Sequence, residues 1–223
     1  MKYRVMACVA AAMAATTVMA DEEHYDVWLA HAEGRLTIGA VNEEGTETTA
    51  GVRVFGAELG EAGIPNFADE PGMQSPDGTF LPGARVQLNI LRAVRSWNGV
   101  DFSSVSDSTI TLDFGPATMV SPTTDVFTSG FSLVADEEGG IHDHPSFTLN
   151  NPASSGIYLL EMSISAPDGE YSDSLPFWIV FNNGLAEEDH ELAIEWVEQN
   201  LVPAPAVLPL MAAGLFGVRR RRR

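Results

Sequence analysis

The chain has 223 residues, 31 of them acidic and 12 basic, for a formal charge of −19. That balance excludes nucleic acid and anionic lipid surfaces as partners, because both need a basic stripe on the protein. The single cysteine, Cys8, excludes a disulfide framework and a thiolate metal site.

At the N-terminus, Lys2 and Arg4 precede an apolar run from Val5 to Ala15. The small-residue stretch Thr16-Thr17-Val18-Met19-Ala20 and the acidic Asp21-Glu22-Glu23 follow it. This order predicts a signal peptide over residues 1–20, handed to the export machinery and cut by signal peptidase between Ala20 and Asp21. The apolar run is shorter than the roughly 20 residues that span a bilayer, which argues against an uncleaved anchor. Cys8 lies too near the N-terminus to leave the apolar segment that precedes a lipid-modified cysteine.

Residues 21–202 carry all 31 acids and five basic residues (Arg35, Arg53, Arg85, Arg92 and Arg95), a formal charge of −26. The acids are scattered, as on a surface soluble in a salty medium, and they would also attract cations such as Ca²⁺. Short apolar runs separated by Gly, Pro, Asp and Asn predict strands over 25–31, 35–41, 52–55, 84–91, 108–114, 125–133, 145–149, 156–165 and 174–182. Turns fall at Gly34, Pro76-Asp77-Gly78, Asn98-Gly99 and Pro167-Asp168-Gly169. The expected fold is mainly β: a single antiparallel β-sandwich over 21–184. Its last hairpin ends in a central strand, because Phe177-Trp178-Ile179-Val180-Phe181 is apolar on both faces. Residues 56–83 are rich in Gly and Pro and read as a long irregular loop.

Helical spacing of Leu185, Leu192, Ala193, Trp196 and Val197 predicts one amphipathic helix within 185–201, its core at 186–200, with an acidic first turn. Beyond it, Val202-Pro203-Ala204-Pro205 leads into an apolar stretch, Ala206 to Val218. The chain closes on Arg219, Arg220, Arg221, Arg222 and Arg223. From Leu201 to Val218 a helix would run about 27 Å, long enough to cross a bilayer core marginally. The arginines would then stay cytoplasmic and leave the domain outside. Residues 202–223 resemble the PEP-CTERM sorting tail, with Ala204 where that motif usually has glutamate. The resemblance implies a transmembrane sorting helix and processing by an exosortase-like enzyme; a plain membrane anchor would share the topology.

Candidate chemistry is sparse. Among His24, His31, His142, His144 and His190, only His142-Asp143-His144 has ligand-like spacing. In an extended segment residues i and i+2 share a face, so both imidazoles can meet one ion while Asp143 turns away. A third donor would come from His24 or Asp26 at the start of the first strand. Zn²⁺ is the candidate ion there, and Ca²⁺ the candidate for the scattered acids. The loop Asp136-Glu137-Glu138-Gly139-Gly140 lacks the alternating spacing of a calcium loop and reads as a solvated turn.

His24-Tyr25-Asp26-Val27-Trp28, Glu33-Gly34-Arg35-Leu36, Asp69-Glu70-Pro71-Gly72 and Trp97-Asn98-Gly99 form one series of short motifs. His142-x-His144 with Phe147, Gly156-x-Tyr158 and the strand from Ser174 to Phe181 continue it. Together they resemble the choice-of-anchor M type of surface domain over most of residues 24–182. The resemblance implies that His24, His142 and His144 lie near one another, and it differs in having Phe147 where a Trp is frequent.

No nucleophile elbow, His-Glu-x-x-His helix, phosphate loop or dinucleotide fingerprint is present, so no enzyme is expected. Trp28, Trp97 and Trp178 could line a glycan platform, but packing is the simpler reading. The expected function is a cell-surface or matrix protein with a structural or interaction role and an undetermined protein or glycan partner. The alternative is a binding module for a divalent metal or a glycan.

Overall fold

A computed structural model describes residues 25–203 apart from 43, 153 and 154. The signal segment 1–20, His24, and Ala204, Pro205 and the closing arginines of the sorting tail lie outside the described residues. Among those described, no helix is long and apolar enough to cross a membrane.

Among the described residues sixteen strands precede one helix. The first eight are β1 (Tyr25–Ala32), β2 (Arg35–Asn42), β3 (Thr48–Ala50), β4 (Val54–Glu58), β5 (Phe67–Ala68), β6 (Met73–Ser75), β7 (Arg85–Ile90) and β8 (Arg95–Ser96). The rest are β9 (Ser104–Val105), β10 (Thr109–Phe114), β11 (Ala117–Val120), β12 (Thr128–Val134), β13 (Ile141–Asp143), β14 (Ser146–Asn150), β15 (Gly156–Ser165) and β16 (Phe177–Asn183), followed by α1 (Glu187–Asn200). They form a five-stranded sheet in the order β13-β6-β1-β2-β3, a four-stranded sheet β11-β10-β14-β5, and a third sheet whose main path is β12-β7-β15-β16-β4. One apolar core joins all three through residues such as Leu29, Met73, Leu88, Leu112, Phe147 and Phe181.

The mainly β reading with one helix holds, and the purely antiparallel one does not. Strands β1 and β6 pair in parallel, as do β16 and β4. Parallel neighbours cannot be joined by a tight hairpin. Both pairs unite segments far apart in sequence, where local turn signals carry no information about direction.

The stretch 56–83 is also more ordered than an irregular loop. It contains the end of β4, then β5 and β6, and β6 lies inside its sheet between β13 and β1. Strands of two or three residues are too short for alternation to register. The same reason hides β3, β8 and β9.

Strand β16 is flanked by β15 and β4, and its apolar run serves two cores. Phe177, Ile179 and Phe181 enter the main one. Trp178 and Val180 face a second one with Val54, Ile157 and Leu159, closed by Ala193 and Val197 of α1. The helix turns His190, Ala193 and Val197 inward, whereas Leu192, expected on the apolar face, is 56% exposed. Close approach of α1 needs Gly56, since a Cβ there would stand 3.1 Å from Ile194 Cδ1 and 3.2 Å from His190 Cε1.

Trp97, Phe102 and Trp196 stack edge to face or tilted with ring centroids 5.0–6.1 Å apart. Trp178 is buried. These rings therefore serve packing rather than an open platform.

Candidate metal centre

The first sheet brings three sequence-distant segments side by side. Val27 of β1 pairs with Met73 of β6, and Met73 with Asp143 of β13. One step further along each strand, the same register puts Asp26, Gly72 and His144 on one rung. Alternation then turns Val27, Met73 and Ile141 into the core and Asp26, His142 and His144 to the opposite face.

Gly72 separates Asp26 from His144 and contributes no side chain. A Cβ there would lie 2.7 Å from both Asp26 Oδ1 and His144 Cε1, so the carboxylate and the imidazole close over the glycine. The Gly72 N–H donates to Asp26 Oδ1 at 2.7 Å, and the Val27 N–H donates to the Gly72 carbonyl at 2.9 Å.

Asp26 is 1% exposed, yet its second oxygen, Oδ2, is solvent-inaccessible and accepts no hydrogen bond. A buried carboxylate oxygen without a partner is costly, and a cation is the natural complement. Two imidazoles supply the remaining donors: one ligand atom each from Asp26, His142 and His144 lies within 4.8 Å of the others. The His142 and His144 ring centroids are 5.3 Å apart.

Glu70 supports the cluster from the turn before β6. Its Oε2 accepts from the Gly72 N–H at 2.9 Å, and its Oε1 lies 3.3 Å from His144 Nδ1. The Asp69 carbonyl is also 3.3 Å from Nδ1. A ring whose Nδ1 carries the proton toward these acceptors presents Nε2 as a lone-pair donor, the outer-shell arrangement common around metal-bound histidine. Burial pushes the Glu70 carboxyl above its usual range, the Asp26 charge and a side-chain hydrogen bond with Asp26 add to this, and His144 and the Gly72 N–H oppose it. Burial likewise raises Asp143, with His142 and His144 acting against it.

Two neutral imidazoles and one carboxylate suit a divalent transition ion such as Zn²⁺, with at least one position left open. The spacing of His142 and His144 was legible in the sequence, and among the described residues Asp26 is the third residue that could offer a donor atom there. Glu70 and Gly72 carried no signal of their own, lying in a stretch read as loop. Asp136, in the other acidic loop, accepts through Oδ1 from the N–H groups of Glu138 and Gly140, which is a self-satisfied turn. The chain matches no family model, no curated protein and no solved structure.

Proposed function

We propose that this chain is an extracytoplasmic binding module for a divalent transition-metal ion, held by Asp26, His142 and His144 on a β-sandwich. Export by residues 1–20 and retention by a PEP-CTERM-like tail at 202–223 are part of the same reading, because they place the domain where such an ion would be met. The carrying observation is a buried carboxylate, Asp26, with an unpartnered Oδ2 and with one oxygen within 4.8 Å of donor atoms of two imidazoles. No catalytic role is proposed.

The test is Zn²⁺ titration of the full chain in detergent at high ionic strength, where loosely attracted cations are screened and a coordinated ion persists. His142→Ala/His144→Ala should lose one tight equivalent relative to the parent. Equal stoichiometry in the two proteins would overturn the reading. Adding His24→Ala to the comparison decides whether that residue supplies a fourth donor.

A further inference from the structure

We propose that Glu58, Glu187 and His190 form a second divalent-cation site, independent of the first, where α1 begins on β4. Strand β4 carries Glu58, and the first turn of α1 carries Glu187 and His190. One ligand atom from each of the three lies within 4.8 Å of the others.

The hydrogen bonding of His190 defines its donor atom. Nε2 lies 2.9 Å from the Val180 carbonyl of β16. A carbonyl can only accept, so Nε2 carries a proton. In the neutral ring Nδ1 is then a lone pair, and it faces Glu58 Oε1 at 3.0 Å and Glu187 Oε1 at 3.9 Å. His190 is 4% exposed, and Glu58 Oε1 is solvent-inaccessible with no aligned hydrogen bond. A lone pair on this buried ring, set against two carboxylates, repels them unless a cation stands between: a proton on Nδ1 in the metal-free protein, or a metal ion that takes the proton's place once the ring is neutral.

The spacing is within reach of an ion. Donors bound at about 2.1 Å lie about 3.0 Å apart at a right angle and about 3.4 Å apart in a tetrahedron; the Glu58 separation of 3.0 Å meets that range, and Glu187 at 3.9 Å has to close by about half an ångström. A ring N–H given to a backbone carbonyl is the usual outer-shell support of a ligating histidine. One nitrogen and two carboxylates suit a divalent ion of the zinc or manganese kind.

Access is also present. Glu58, Glu187 and His190 line a cavity of about 430 Å³ whose walls include Val54 and Ile194. It offers room for waters to complete a coordination shell. Glu70, which braces His144 at the first site, lines the same cavity, so this space reaches from the second site to the outer support of the first.

The experiment uses the full chain in detergent at about pH 8, above the ordinary imidazole range, with Zn²⁺ alone as probe. The His142→Ala/His144→Ala protein should still bind one equivalent, and the His190 Nδ1 resonance should move as it binds. Adding Glu187→Gln or Glu58→Gln should weaken that equivalent by more than the roughly ten- to hundredfold typical of losing an outer-shell partner. These near-isosteric changes leave the fold, checked by circular dichroism, in place. No Zn²⁺ bound by the His142/His144 variant, or binding indifferent to both glutamines, would overturn the second site. Neither result would touch the first, which is read from the parent's additional equivalent.

Discussion

The Gly72 N–H and Asp26 Oδ1 meet at 2.7 Å, and this contact fixes a carboxylate that has one oxygen within 4.8 Å of ring nitrogens of His142 and His144. A methyl group at position 72 would press on Asp26 Oδ1 and His144 Cε1, both near the ends of side chains. Those ends can swing away while the strands stay paired. Gly72→Ala should therefore leave a folded protein, destabilised by about 1–3 kcal/mol, with Zn²⁺ affinity at the first site reduced at least about tenfold. Calorimetry and urea denaturation measure the two effects; unchanged affinity would separate Asp26 from the ion.

Asp26→Asn tests whether the carboxylate serves the ion or the fold. Oδ2 is buried without a partner, and the Asp26 charge also raises the neighbouring Glu70. Neutralising it should stabilise the metal-free protein by on the order of 1 kcal/mol while abolishing the tight equivalent of Zn²⁺. Denaturation with chelator present measures the first effect. A net loss of stability there would mean that Asp26 acts through Gly72 alone.

His142 and His144 could be read from the sequence because both come from one extended segment, where the i, i+2 rule operates within three residues. Asp26 was one of two candidates for the third donor, since the start of a strand was visible but its neighbours were not. Glu70 and Gly72 reach the site through β6, a three-residue strand in parallel pairing with β1. Neither its length nor its direction leaves a local pattern. His190 was hidden differently: its helix was legible, but the apolar stripe pointed to Leu192, and nothing local links it to Glu58, 132 positions away. Strand β16 was the easy case, because a run apolar on both faces has few places to go other than between two cores.

Phe147 follows His144 by three residues and is fully buried, its ring centroid 5.2 Å from that of Phe181. It ties β14, directly after the histidine segment, to the main core. Phe147→Ala should cost about 3–5 kcal/mol through lost burial and a residual cavity. Urea midpoints of parent and variant check this. A cost below about 1 kcal/mol would mean that the core collapses around the vacancy.

The pH dependence of the metal-free protein follows from groups whose pKa values are raised by folding. For His190, burial alone pulls downward, and it is overcome by the Glu58 carboxylate, the Val180 carbonyl and Glu187, so the net shift is upward from 6.5. A raised folded pKa means that the native state holds the proton more tightly than the unfolded chain. The stabilisation is complete below the unfolded value of about 6.5 and is lost as pH rises through the folded one. Glu70 and Asp143 act in the same sense lower on the scale, above their ordinary 4.5 and 3.8. The exposed Asp168, held down by its hydrogen bond from Arg85, acts oppositely at the acid end. With chelator present, the urea midpoint should therefore fall as pH rises from about 6.5 upward, and His190→Gln should flatten that step without altering the one below it. Zn²⁺ should reverse the trend in the parent, since the lone pair of neutral His190 and the carboxylates of Glu58 and Glu187 then meet a cation instead of one another. A midpoint that climbs with pH in the chelated parent would show that His190 does not hold a proton against Glu58 in the folded state.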